Sequence, residues 1–263
     1  MKICAIGDPH GELEKIKKIP LDNVDLILIT GDVGKATLSR KMAFENIKRK
    51  KQGLKPIKYS LEQEKKAYME FYNSSLKIIK YLAKHAPVFL IYGNAEPSNK
   101  EIRKLSGKIK NLPSLTGELK KIKGVRIINN RIARFKSVRI GGLRYFIDVC
   151  WVREFKPHDY KKELKKAKKE TDKAKKILKW FGNVDILLSH QPPYGILDKV
   201  TAKFAPKEWI GKHAGSKVIL NYIKSKQPKY VFCGHIHEDE GTKKISKTMV
   251  YNLSVGGYKI VEF

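Results

Sequence analysis

One recurrence constrains the fold of this 263-residue chain more than anything else in it. Five short apolar runs, Ile3–Ile6, Leu26–Thr30, Val88–Tyr92, Val184–Leu188 and Tyr230–Cys233, are rich in Val, Ile, Leu and aromatics and bounded by Gly, Asn, Asp or Pro. Such runs read as buried strands. Helical patterns lie between them. Ser60 to Lys84 opens with a Ser60-x-x-Gln63 capping box, and Leu61, Tyr68, Phe71, Tyr72, Leu76, Ile79 and Leu82 follow helical spacing. A second pattern, from about Asp159 to Phe181, has Tyr160, Leu164, Ala167, Thr171, Ala174, Leu178 and Phe181 on one stripe and lysines elsewhere. Strands alternating with helices predict an α/β fold.

Two regions depart from the alternation. Residues 125–147 read as short strands with turns at Asn129-Asn130 and Lys136-Ser137, and Thr248–Leu253 with Tyr258–Phe263 reads as a hairpin across Gly256-Gly257. These pieces suggest a second or mixed sheet. No linker or repeat interrupts the chain, so residues 1–263 are expected to form a single domain of two packed sheets with outer helices. A basic helical insert is expected at about 36–85, with 36–59 as a loop over the cleft.

Each of the five runs leads into side chains able to bind a metal: Gly7-Asp8-Pro9-His10, Gly31-Asp32, Gly93-Asn94, Ser189-His190 and Gly234-His235-Ile236-His237. In α/β sheets, ligand sites form at the carboxyl ends of strands. Singly, each motif is weak. An Asp-x-His is mostly a surface triplet, and Gly-Asp or Gly-Asn is usually a turn. Together, after five buried runs, they bring Asp8, His10, Asp32, Asn94, His190, His235 and His237 to one cleft. Carboxylate, carboxamide and imidazole without thiolate suit Mn, Fe, Ni or Zn. Seven ligands exceed one tetrahedral site. With Asp32 bridging they divide into two, the arrangement that clamps attacking and leaving oxygens in phosphoryl transfer. A bridging hydroxide would then attack phosphorus in line.

Asp8-x-His10, Gly31-Asp32, Gly93-Asn94-x-Glu96, His190 and Gly234-His235-x-His237 resemble the calcineurin-like metallophosphoesterases, and the motifs span residues 8 to 237. The stretch from Ser189 to Gly195 and on through His213-Ala214-Gly215-Ser216 resembles a prokaryotic-type branch. The resemblance implies a four-layer α/β sandwich, two mixed β-sheets flanked by helices, with a dinuclear centre at one end. It implies that Asp8, His10, Asp32 and His237 hold the first metal, and Asp32, Asn94, His190 and His235 the second. Asp32 and Asn94 then also belong to the catalytic set.

One departure matters. Many members have His where this chain has Ala95, read as stabilising the transition state or protonating the leaving oxygen. Glu96 would then lack the partner it orients. General-acid help is worth about 10²–10⁴-fold, so its loss is tolerable when the leaving group is already good. That predicts a preference for phosphodiesters or activated monoesters. His213 is the candidate to supply the missing acid, against the plainer reading of a loop histidine bonded to backbone. His85 and His158 read as surface, Ser216 as either a phosphate donor or a helix cap, and Asn252 as shaping the site floor or a turn.

The charge, formally +30, invites a nucleic-acid partner, but lysine abundance with scarce Gln is also expected of proteins from hot environments. Its distribution demotes it. Residues 1–35 are net −1, whereas 36–84, 99–144 and 153–180 are +9, +12 and +7. Lys48-Arg49-Lys50-Lys51 is the candidate for recruiting an anionic phosphoester substrate. No apolar stretch approaches the roughly 20 residues that span a bilayer, and the N-terminus lacks a secretory pattern. Cys4, Cys150 and Cys233 show no metal spacing, which fits a reducing cytoplasm; Cys4 and Cys233 read as core. Two rivals to a phosphohydrolase stand: a nuclease on DNA or RNA, and a metal-binding scaffold with negligible catalysis.

Overall fold

The computed structural model describes residues 1–97, 102, 105–203 and 205–263; residues 99–101, 103 and 104 of the basic stretch 99–144 therefore lie outside the described residues. Strands β1 (Lys2–Ile6), β2 (Leu26–Ile29), β3 (Val88–Leu90), β4 (Val125–Ile127) and β11 (Tyr258–Glu262) form one sheet, ordered β11-β1-β2-β3-β4. Strands β5 (Arg131–Phe135), β6 (Val138–Leu143), β7 (Ile186–Ser189), β8 (Tyr230–Cys233), β9 (Gly241–Ile245) and β10 (Thr248–Asn252) form the other, ordered β5-β6-β7-β8-β10-β9. The inner strands of both sheets run parallel, and β11, β5 and β9 are antiparallel edges. Both sheets are thus mixed.

The pleat sends alternate residues to opposite faces. Ile3, Leu26, Leu28 and Phe89 face Ile140, Ile186, Leu188 and Phe232 between the sheets. Cys4, Ile27, Ile29 and Leu90 face outward onto α3 (Leu61–Leu82), through Phe71, Ile78, Ile79 and Leu82. On the far side Leu187, Val231 and Cys233 pack on α6 (Tyr160–Phe181) and α7 (Lys217–Lys226). The layers are helix, sheet, sheet, helix, as expected. Strands β2, β3 and β7 are buried along their whole length, which is why their sequences are near-continuous apolar runs rather than alternations. Truncating a side chain such as Phe89 or Phe232 to Ala would cost about 3–5 kcal/mol.

Ser60 caps α3 as its sequence predicts: its hydroxyl accepts from the Gln63 amide, and the Gln63 side chain accepts from the Ser60 amide. Short helices α1 (Leu13–Ile16), α4 (Leu115–Lys121) and α5 (Val149–Phe155) fill connections.

Two expectations are corrected. The C-terminal hairpin does not form: β10 lies in the second sheet and β11 pairs antiparallel with β1 in the first. The reason is edge availability. β8 and β9 occupy both sides of β10, so the last strand fills the open edge of β1 and buries Val261 between the sheets. The hairpin is instead β9–β10, turning at Ser246-Lys247 with Ser246 at φ +52°. Second, 36–59 is not mainly a loop, because Thr37–Lys51 is helix α2. It is unusual in burying none of its residues, with Phe44 and Ile47 exposed. Among the described residues no helix is long and apolar enough to cross a membrane.

Candidate metal centre

The carboxyl ends of β1, β2, β3, β7 and β8 meet at one edge of the sandwich. Asp8 is fully buried there. Its Oδ1 accepts from the Thr30 hydroxyl at 2.6 Å and lies 3.5 Å from His190 Nδ1. Its Oδ2 accepts from the His235 amide at 2.6 Å and lies 3.2 Å from His237 Nε2. Asp32 divides its oxygens in the same way. Oδ2 lies 3.7 Å from His10 Nε2; Oδ1 lies 3.8 Å from His190 Nε2 and accepts from the Ala95 amide at 2.7 Å. Two groups result, Asp8 with His10 and His237, and Asp8 with Asp32 and His190, each with its ligand atoms within 4.8 Å.

The glycines explain how carboxylates from different strands come so close. A Cβ on Gly234 would sit 2.5 Å from both Asp8 oxygens, and one on Gly93 would strike Asp32 and His190. Backbone strain marks the same place. His10, Asp32 and His235 have φ of +45°, +43° and +69°. The left-handed region costs a non-glycine residue about 1–2 kcal/mol, and such strain persists where surrounding structure over-determines it.

The donor set fits cations. His10 Nε2 and His237 Nε2 point at each other across 3.4 Å, and His190 Nε2 lies 2.9 Å from Asn94 Oδ1. Pairs of lone-pair atoms at these separations need a proton or a cation between them. His10 Nδ1 is buried without a partner. Burial drives His10 down to about 4 and holds His235 well below the usual imidazole range, with His190 adding to the second effect. Burial works to raise Asp8, but His190 and His237 overcome it and keep the carboxyl well below its ordinary value. Burial also works against a proton on His190, yet the Asp8 and Asp32 carboxylates raise it to about 9. Two buried carboxylates beside His10 and His235, which burial keeps neutral, call for positive charge, and the raised His190 is a response to that need.

Six of the seven expected ligands, Asp8, His10, Asp32, Asn94, His190 and His237, meet through contacts below 4 Å. His235 joins through its ring, 4.9 Å centroid to centroid from His190, and lies outside the two close groups. Tyr145 supports both rings, at 5.6 Å from His190 and 5.2 Å from His235. Tyr145 was not expected from sequence.

Glu96 needs no histidine at position 95. Its carboxylate accepts from the amides of Asp32 (3.1 Å), Val33 (2.9 Å) and Gly93 (2.6 Å), tying the end of β2 to the end of β3. Burial and the Asp32 charge push it up to about 8. With Ala at position 95 it has no histidine to orient, and backbone amides hold it instead.

His213 pairs with a carboxylate that is not one of the seven expected ligands. Its Nδ1 lies 2.7 Å from the buried Asp198 carboxylate, which also accepts from the amides of Gly195 and Gly215. This segment rests on the end of β8: Val200 and Ala214 pack on Ile236, and the Asn252 side-chain Nδ2 donates to the carbonyls of Leu197, Ile236 and Asp239. No described contact joins His213 to the carboxylate cluster. Ser216 is a helix cap, accepting from Val218 and Ile219 and donating to Asp148 at 2.6 Å. His85 and His158 are exposed.

Among the described residues, a cationic side chain that reaches the cluster is Arg40, on α2. Its Nη2 lies 3.4 Å from His10 Nε2 and 3.8 Å from Asp32 Oδ2. Sequence reasoning placed the functional charge of this insert at 48–51 and missed Arg40. The available signal was helical spacing, since Arg40 lies in the first turn of α2, just after the Gly31-Asp32 block.

The family model for calcineurin-like phosphoesterases matches residues 1–239. A solved structure 15% identical superposes with a TM-score of 0.58, covering 100% of this chain and 98% of the other. The phosphopantetheinyl hydrolase of Mycobacterium tuberculosis is 13% identical, with a TM-score of 0.52 over 97% of this chain and 89% of that one. A dimetal phosphatase of Danio rerio is 11% identical, with a TM-score of 0.48 over 97% and 87%. No curated protein matches the sequence. With its motifs, two-sheet sandwich and Asp/His cluster in agreement with that family model, the chain belongs to the calcineurin-like phosphoesterases.

Proposed function

We propose that the protein is a dinuclear-metal phosphohydrolase that favours phosphodiesters and activated esters over simple alkyl monoesters. The observation that carries the reading is the double span of Asp8 and Asp32, each with one oxygen toward His190 and the other toward His237 or His10. Asp8, His10, Asp32 and His237 would hold one ion, and Asp32, Asn94, His190 and His235 the other. Bound there, the ions would supply Lewis-acid activation of water and of phosphoryl oxygens.

The rest falls to the chain's own residues. The Thr30 hydroxyl and His235 amide fix the Asp8 carboxylate, and the Ala95 amide fixes Asp32, so neither must reorganise on binding. Arg40 stands where phosphoryl charge would need neutralising. Guanidinium is a permanent cation with donors only, so it can stabilise charge but cannot hand over a proton at neutral pH. Ala95 cannot either. The leaving group must depart with little acid help, which favours good leaving groups.

The test is a phosphoester panel on metal-reconstituted protein, with Asp32→Ala and His235→Ala as controls. An aryl diester is expected to turn over clearly faster than an alkyl monoester, with both controls near background. Faster alkyl monoester hydrolysis overturns the preference. Wild type equal to the controls on every substrate overturns the enzyme reading.

A further inference from the structure

Beside the cluster, α2, α3 and the chain after β3 line an open cavity of about 330 Å³. Its walls are Met42 from α2, Ala67, Tyr68 and Phe71 from α3, and Ala95 and Pro97 from the segment that leaves the site. That volume is at the lower end for small-molecule pockets, and a mostly apolar lining is typical of them. The cavity is directly joined to the centre. The amide of Ala95 donates to Asp32, and Ser39, also in the lining, precedes Arg40. A ligand whose phosphorus lies by Asp32 and Arg40 is therefore next to an apolar space.

We infer that this cavity is a leaving-group subsite, taking the aromatic ring of an aryl phosphoester. The inference rests on the phosphohydrolase reading. Three features specify the occupant. The side chain at position 95 is a methyl, so the wall nearest phosphorus offers van der Waals contact in place of a proton donor. Tyr68 is tied by its hydroxyl to the Pro113 carbonyl at 2.6 Å, and Phe71 is buried in α3, so these aromatic walls are preformed. Glu64 and Lys108 both stand in the lining and offset each other, so the cavity offers no net charge and suits an uncharged alcohol. The subsite and the missing acid answer the same need: an aryl alcohol leaves without proton transfer and fills an apolar space.

The test measures binding to the metal-loaded protein of two non-hydrolysable probes, benzylphosphonate and methylphosphonate, by calorimetry. Wild type is expected to bind benzylphosphonate roughly 10–100-fold more tightly, the worth of burying one ring. Met42→Trp fills the cavity from a half-buried helix face, and Met42→Glu charges it. Each is expected to bring the two affinities within about twofold while leaving methylphosphonate unchanged. Equal affinities in wild type, no binding of either probe, or an aryl advantage that survives both substitutions overturns the subsite. Turnover of an aryl diester by wild type against Asp32→Ala runs alongside. Turnover without aryl preference overturns the subsite alone; aryl preference without turnover overturns the phosphohydrolase reading.

Discussion

The strand ends that hold the Asp/His cluster and the helix α2 that reaches over it are built in opposite ways. At the strand ends Asp8, Asp32 and His190 are buried, their neighbours are paired on both sides in the sheets, and the backbone is held at strained φ. Helix α2 buries nothing and leaves Phe44 and Ile47 in solvent. Its polar ties to the rest of the fold include the Leu38 amide to Glu70 at 2.9 Å and an ion pair between Lys50 and Asp159. The cluster owes its geometry to the whole core, whereas Arg40 owes its position to one lightly docked helix. The difference separates what must be rigid from what can adapt to a substrate.

The largest effect should come from the strand ends. Gly234→Ala places a methyl against both oxygens of Asp8, so metal content after reconstitution is expected to fall from two ions toward one or none, with activity lost. Elemental analysis measures this, and two retained ions would mean the centre is less tightly built than the contrast requires. Next, Arg40→Ala should lower kcat by roughly 10²–10³-fold, the usual cost of a charge-stabilising donor. Its metal content should stay unchanged and Arg40→Lys should recover part of the rate, while His213→Gln changes kcat less than Arg40→Ala. A larger loss at His213 would move the acid role back to that residue.

A stability measurement probes the root of the insert. Ser60→Ala removes the cap at the start of α3 and should cost about 1 kcal/mol, read as a lower denaturation midpoint with activity retained. The smallest effect belongs to residues 48–51. They lie about 12 Å or more along α2 from Arg40, beyond the roughly 8 Å screening length of physiological salt. Neutralising all four should raise KM by less than about twofold at that salt, and more at low salt. A large increase at physiological salt would show that the far end of α2 folds over the substrate.

Much of this was legible in the order of residues. A strand buried on both faces must be an apolar run, and a turn at its end that admits another strand's carboxylate must begin with glycine. Hence Gly31-Asp32, Gly93-Asn94 and Gly234-His235 announced themselves, and Ser60-x-x-Gln63 announced a helix start. These signals are local, because burial and capping act on the residues that carry them.

Other features depended on contacts between distant parts of the chain. Whether Tyr258–Glu262 paired with its neighbour or crossed to β1 depended on which edges were already taken. The three amides that Glu96 accepts come from two different strand ends, a partnership invisible in the residue at position 95. Arg40 looked like one of many basic residues until α2 docked with its first turn toward Asp32, and the cavity at Ala95 exists only between three separate segments. The sequence alone therefore determined the kind of chemistry, since ligand types and their glycines are written locally. Tertiary packing decided which cation and which apolar space stand beside that chemistry, because a helix's direction and a cavity's walls arise only when non-adjacent surfaces meet.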